Sequence, residues 1–239
     1  MSRDFTVSCH NCGLNELCLP YSLSDAEMDV VDAEMKRSRP LQKGESLFEA
    51  GDEFTSLFAV RSGAVKTYSI DQDGEENVVG FYLPGELIGL DAIGTAKHAN
   101  TAKALETSSF CEIPYTQMAA LSQKIGNLQV HMYQLLSREI REDQELQLLL
   151  SKKTAEERIA SFLFNLAERY RARKLSATIF RLPMVRTDIA NYLGLAVETT
   201  SRIFTRLQQQ EIIQVKGKEV QVLNQHKLCE LAHCDTLAS

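Results

Sequence analysis

Cys9, Cys12 and Cys18 stand within ten positions of one another in "SCHNCGLNELCLP", residues 8–20. Thiolates so spaced suit zinc or an iron–sulfur cluster, and both chemistries ordinarily take four protein ligands. Only three thiols are local. The fourth ligand is either His10, completing a zinc set, or a residue far along the chain. The N-terminus, "MSRDFTVSCHNC", has no positively charged start leading into an apolar core, and no run approaches the roughly 18 apolar residues that span a bilayer. A cytoplasmic location is therefore expected, where thiols stay reduced and six cysteines read first as metal or redox chemistry. Cys229 and Cys234, near the C-terminus, are expected to be free thiols.

These residues need elements to position them, and the charge distribution locates one such unit. The chain of 239 residues has 44% hydrophobic and 24% charged residues and a net charge of −6. Residues 152–219 nevertheless carry 13 Lys and Arg against 7 Asp and Glu, a local balance of +6 that leaves −12 for the rest. A basic segment joined to an acidic one fits a unit that meets a polyanion beside a unit with another task.

Along the chain, residues 1–20 form the cysteine-rich segment. Ser24 with Glu27 has the spacing of a capping box and predicts a short helix over 24–37. Within a sensor domain expected over 21–115, β-branched and aromatic runs from about 41 to 115 alternate with turn signals at Lys43-Gly44, Gly51-Asp52, Ser62-Gly63, Asp73-Gly74 and Pro84-Gly85, which predicts an antiparallel β-roll. Residues 116–150 contain no Pro and predict one long helix. Within it Tyr133, Leu136, Ile140, Asp143 and Gln147 fall at the alternating 3,4 spacing of a two-stranded coiled-coil seam, so this helix is expected to pair with a second copy of the chain. Thr154 is placed to cap a further helix, 155–172. The fold class is α+β, with a domain over 153–226 and a tail over 227–239.

That C-terminal domain carries the most specific pattern, "RTDIANYLGLAVETTSRIFTRLQQQEIIQVKGKEVQVL", residues 186–223. Thr187 is expected to cap a first helix, Gly194 to turn the chain, and Ala196–Gln209 to form a second helix; a hairpin turning at Lys216-Gly217 follows. This is a winged helix-turn-helix. Glu198, Ser201 and Arg202 lie on the outer face of the second helix. Arg can donate twice to guanine, Glu can accept from cytosine and Ser can do either, so the trio suits base edges. The plainer alternative is an i,i+4 surface ion pair between Glu198 and Arg202. Arg169, Arg171, Arg173, Lys174, Lys216 and Lys218 are candidates for phosphate contacts.

A β-roll (cyclic-nucleotide-binding-like), a dimerisation helix and a winged helix-turn-helix, in that order, resemble the CRP/FNR family of transcription regulators. "HNCGLNELCLP", "LETSSFCEIP", "LLLSKKTAEERIA" and "NYLGLAVETTSRIFTR" make the chain similar to the oxygen-responsive FNR branch over nearly its full length. The resemblance implies a [4Fe-4S] cluster on Cys9, Cys12, Cys18 and Cys111, converted to [2Fe-2S] by oxygen, with monomerisation as the consequence. It implies a homodimer that reads TTGAT-type inverted repeats in double-stranded DNA through Val197, Glu198, Ser201 and Arg202. It also implies contact with RNA polymerase through surface loops such as 71–76 and 105–110, and activation or repression of genes of anaerobic metabolism. Cyclic nucleotide is not expected: "PGELIG" keeps a Gly-Glu pair, but "TAKHANTAKAL" offers no arginine to clamp a ring phosphate.

Asp143 interrupts the apolar seam. Two such carboxylates facing across a two-fold axis oppose association and hold the helix pair near its threshold, with Leu136 and Ile140 supplying apolar contact. Leu17, beside Cys18, is expected to limit access of oxygen to the cluster. A zinc-stabilised regulator of the same fold, sensing another small molecule, is the alternative reading. An iron–sulfur enzyme is disfavoured, because no dinucleotide fingerprint or nucleophile–base pair accompanies the cysteines.

Overall fold

In a computed structural model, which describes residues 8–234, Ser24 caps the first helix as its spacing predicts. The Glu27 backbone N–H donates to the Ser24 hydroxyl at 3.4 Å, and the Ser24 N–H donates to the Glu27 carboxylate at 2.9 Å, which closes the capping box of α1 (Asp25–Glu34). A single 3₁₀ turn, Cys9–Asn11, precedes it.

Eight strands follow: β1 (Lys36–Arg37), β2 (Ser46–Phe48), β3 (Ser56–Ser62), β4 (Val65–Ile70), β5 (Glu76–Tyr82), β6 (Leu87–Ile88), β7 (Thr101–Ala104) and β8 (Ser109–Pro114). They form two four-stranded sheets, ordered β1-β8-β3-β6 and β2-β7-β4-β5, which is the expected β-roll. Glycines turn the chain where expected. Gly63 has φ +85°, and a Cβ there would run into the Ser108 side chain and backbone, so both the conformation and the close approach require glycine.

The stretch expected to be one helix is two. α2 (Tyr115–Lys124) ends at Ile125, whose backbone is extended (φ −114°, ψ 93°), and α3 (Gly126–Lys152) begins immediately after. Glycine is a poor helix former and allows the chain to restart in a new direction there. α3 has two distinct faces. Leu128, His131, Met132 and Leu135 are buried, whereas Tyr133 and Ile140, on the proposed seam, are 62% and 59% exposed. Asp143 and Gln147 are exposed on the same stripe and Leu136 is partly covered.

One continuous core gathers Leu19, Met28, Val31, Leu57, Ile113 and Met118 with Leu128, Met132 and Leu135 of α3, and Cys18 and Cys111 pack against it. Leu19 and Leu128 are fully buried. Each such side chain contributes about 1.5–3 kcal/mol, so the cysteine-bearing segment is held to the roll by apolar contact.

The chain divides into two compact units. One runs to Ile70 and resumes over Val79–Ile140; the other holds Asp71–Val78 and the chain from Arg141. In the second, Thr154 and Glu157 form another capping box at the start of α4 (Ala155–Ala172), at the predicted bounds. β9 (Ile179–Arg181) leads to α5 (Arg186–Tyr192) and α6 (Val197–Gln209), then β10 (Ile213–Lys216) and β11 (Glu219–Val222). The wing sheet is three-stranded, β10-β11-β9, because Phe180 pairs with Val220; the expected hairpin lacked β9.

Three further expectations are corrected here. Thr187 does not cap α5; the helix starts one residue before it, and the Val185 N–H donates to the Asp188 carboxylate instead. The segment expected as a tail contains α7 (Gln225–Ala232), which buries Leu228, Cys229 and Ala232 and packs on α4. Cys229 and Cys234 are joined as a disulfide rather than free. His233 adopts a left-handed conformation (φ 50°) that folds the chain back, so the Cys234 N–H donates to the Cys229 carbonyl at 3.1 Å and the Cα atoms are 5.3 Å apart.

Candidate metal centre and nucleic-acid interface

Cys111 sits on β8, where strand register places it beside Arg37 of β1 on one side and Ala59 of β3 on the other. Antiparallel pairing thus holds the remote cysteine rigidly, while the N-terminal segment folds over it. Cys9, Cys12, Cys18 and Cys111 all line one open cavity, together with Asn15, Met35, Arg37 and Arg61. All four are free cysteines. Among the described residues, no three His, Cys, Asp or Glu side chains converge closely enough to hold a single metal ion. Four thiols on one pocket make an all-sulfur donor set, the chemistry that suits an iron–sulfur cluster or zinc.

Two contacts hold Cys9. Its N–H donates to the Asp32 carboxylate at 2.8 Å, and its thiol lies 3.5 Å from the Met35 sulfur. Asp32 also accepts from the Arg37 guanidinium. Burial pushes the Asp32 carboxyl up, but the bonds from Cys9 and Arg37 outweigh it and hold it below the ordinary range. His10 is turned outward, with Nε2 2.8 Å from Asp29 and Nδ1 3.7 Å from Asp25. It is engaged by these α1 carboxylates and is not among the residues lining the cavity.

Burial pushes the Cys18 thiol up to about 12 and Cys9 higher still, with Asp32 adding to the rise at Cys9. Cys111 is raised by burial too, while the positive charges of Arg37 and Arg61 act in the opposite direction. Coordination to a metal deprotonates such thiols outright, and two guanidiniums beside the cavity offset part of the resulting negative charge. Leu17 packs on the turn at Gly85, where a Cβ would lie 3.0 Å from it, and is not among the residues lining the cavity.

In the second unit, α6 buries Thr200, Ile203, Phe204 and Leu207 and exposes Glu198, Ser201 and Arg202; Val197, at its first turn, is partly covered. Arg186 lies over the Phe204 ring at 3.5 Å and packs α5 on α6. Gly194 supplies the turn with φ +61°. The guanidinium of Arg158 donates to the carbonyls of Leu150, Lys153 and Leu193 at 2.7, 3.0 and 3.0 Å, satisfying chain ends of α3 and α5. Glu198 and Arg202 form no ion pair among the described residues, so both side chains are available to a ligand. Of the basic candidates, Arg171 pairs with Glu168 and Lys218 donates to the Pro183 carbonyl, whereas Lys216 is exposed at the wing turn.

Residues 38–124 match the family described as Cyclic nucleotide-binding domain, and residues 157–231 the Crp-like helix-turn-helix domain. A transcriptional activator protein Anr of Pseudomonas aeruginosa is 55% identical over 224 residues, 94% of this chain and 92% of the relative. The chain belongs to the CRP/FNR family of transcription regulators. The fumarate and nitrate reduction regulatory protein of Escherichia coli is 48% identical, over 95% of this chain and 90% of its own length. Among solved structures, FixK2 from Bradyrhizobium japonicum is similar with a TM-score of 0.76 at 28% identity, covering 86% of this chain and 99% of that one. This CRP/FNR chain is accordingly a transcription regulator with a helix-turn-helix DNA-binding domain. No helix among the described residues is long and apolar enough to cross a membrane.

Sequence reasoning missed Asp32 and Arg37, which fix Cys9 and flank Cys111. Neither has a signal in spacing, because both act through strand register and tertiary contact. It also missed the buried His131 of α3, which lies 3.2 Å from the Cys18 carbonyl.

Proposed function

We propose that this protein is a global transcription regulator of anaerobic metabolism that senses oxygen through a [4Fe-4S] cluster on Cys9, Cys12, Cys18 and Cys111. The observation that carries this reading is the gathering of those four thiols around one cavity, three from the N-terminal segment and one from β8. The names of the relatives, an activator and a fumarate and nitrate reduction regulator, agree with it. The engagement of His10 by α1 carboxylates argues against the zinc alternative.

When bound, the cluster supplies a covalent tie between two chain segments and a centre that oxygen can attack. The protein's own residues do the rest. Asp32 and Met35 hold Cys9, register holds Cys111, and the shared core joins both to the buried face of α3. On the exposed stripe of α3, Leu136 and Ile140 favour pairing with a second copy and Asp143 opposes it. A two-fold dimer presents two α6 helices to half-sites one helical turn apart, about 34 Å, and therefore reads an inverted repeat of TTGAT type through Val197, Glu198, Ser201 and Arg202. Loops 71–76 and 105–110 are the surfaces offered to RNA polymerase, and cyclic nucleotide is not a ligand.

The test is anaerobic purification followed by iron and sulfide assay, visible spectroscopy and titration of an operator duplex. About four irons and four sulfides per chain, brown colour, and tight binding in nitrogen that is lost in air are expected. Colourless, iron-free protein that binds the operator equally in both gases overturns the reading.

A further inference from the structure

His131 lies on the buried face of α3, 4% exposed, among Leu128, Met132 and Leu135. Its Nε2 is 3.2 Å from the backbone carbonyl of Cys18. A carbonyl oxygen can only accept, so Nε2 carries the hydrogen and donates. Nδ1 faces the Gln134 side-chain amide at 3.4 Å, and the ring packs against Tyr21 with centroids 5.3 Å apart. The Cys18 carbonyl also accepts from the Tyr21 N–H at 3.1 Å, so both of its lone-pair directions are used.

This bond is a directional tie within an otherwise apolar contact. Apolar packing tolerates small sliding, whereas a buried hydrogen bond fixes one geometry and, if broken, leaves the buried His131 Nε2–H without its acceptor. The helix turn that carries His131 also carries Tyr133, on the exposed stripe two residues later. An α-helix is stiff over one turn, so a displacement of the Cys18 backbone reaches the seam through this side chain.

We propose that His131 is a positioning residue that couples the cysteine segment to the dimerisation face of α3, by holding the Cys18 carbonyl against the helix. The inference rests on the cluster reading above and deepens it, naming the residue through which the state of the cysteine segment reaches the seam. Because coupling between two equilibria is reciprocal, anything that favours the dimer must also protect the cluster.

The test compares the full-length wild type with His131→Met, of similar size and without the donor, and with His131→Gln, whose amide can still donate to the Cys18 carbonyl. In nitrogen, His131→Met should load iron and sulfide as wild type does, yet its dimer dissociation constant should rise about tenfold, the order expected from losing one such bond in each protomer. On exposure to air, an operator duplex should slow loss of the visible absorbance severalfold in wild type and in His131→Gln, and not at all in His131→Met. A merely structural defect would speed bleaching by the same factor with and without DNA and so leave the severalfold protection by DNA intact, which would overturn the inference. Should His131→Met melt well below wild type, His131→Gln decides: loss of DNA protection with the donor retained overturns the inference. Wild-type protein that loads its cluster while His131→Met dimerises and is protected identically overturns the inference alone. Wild-type protein without iron or colour overturns the cluster reading and the inference together.

Discussion

The recognition helix and the cysteine cavity are assembled by opposite means. α5, the Gly194 turn and α6 are neighbours in sequence, and contacts such as Arg186 over Phe204 close the motif within itself. The cavity draws Cys9, Asp32 and Cys111 from three separate stretches and exists only when β1, β3 and β8 are in register. A locally built motif presents its side chains whether or not distant parts are intact. A site built by tertiary contact is lost as a unit. The folding of either region should therefore survive damage to the other, even though the dimer couples their activities.

Cys111→Ser gives the largest expected effect and the sharpest form of that contrast. It should abolish the visible absorbance and the bound iron of anaerobic protein, while far-UV circular dichroism shows the helices of the second unit unchanged. Full absorbance in this variant would assign the fourth ligand elsewhere. Arg202→Ala is the reciprocal change: iron and colour stay, and operator binding weakens. A bidentate base contact discriminates by about 1–3 kcal/mol, so a two-fold dimer should lose roughly 2–6 kcal/mol on the cognate repeat and less on a duplex altered at the contacted base pair. Lys216→Ala should instead weaken all duplexes alike and lower the salt dependence. Equal loss on cognate and altered duplexes for Arg202→Ala would mean that Arg202 touches phosphate only.

The same contrast governs what the sequence made legible. The Ser24–Glu27 capping box, the Thr154 cap with its 155–172 helix, the β-roll glycines and the outward trio on α6 were all readable, because spacing of three or four residues and turn chemistry act locally. The break at Ile125-Gly126 was not read, since a single glycine inside a long polar-rich helical pattern is a weak stop signal and the direction of the chain after it is set by the core. α7 was missed because its buried residues, Leu228, Cys229 and Ala232, are few and follow turn-like residues. β9 is three residues long and gains its identity only by pairing with β11. At the cavity the three clustered cysteines announced themselves, whereas the contribution of Cys111 came from resemblance, and Asp32, Arg37 and His131 required the fold.

Asp143→Ala tests whether the two ends communicate through the exposed stripe of α3. Removing a like-charge pair across the two-fold axis is worth about 1–4 kcal/mol for charges near 4 Å at the dielectric of a protein surface or of water. The variant should sediment as a dimer and bind the operator in air, and by the same reciprocity its visible absorbance should bleach more slowly than that of wild type. An unchanged monomer in air would place Asp143 off the seam and leave the stripe without its opposing charge.

The smallest expected effect concerns the second unit alone. Burial contributes little at Glu157; hydrogen bonds from the Thr154 backbone, then from His233 and the Thr154 hydroxyl, hold its carboxyl down to about 2. The folded value is depressed below the ordinary 4.5, so its stabilisation is complete above that pH and disappears as pH falls through the interval down to about 2. Glu157→Gln keeps a side-chain acceptor for the Thr154 N–H but removes the titration, so its melting temperature should fall less steeply than that of wild type between those limits. Thr154→Ala deletes the hydroxyl acceptor of the Glu157 N–H and should cost about 1 kcal/mol at neutral pH, roughly 2–4 °C for a chain of this size. Neither change should alter iron content or the rate of bleaching in air. If Thr154→Ala did change them, the start of α4 would be linked to the cysteine cavity, and the independence of the two regions would have to be abandoned in favour of a single cooperative unit.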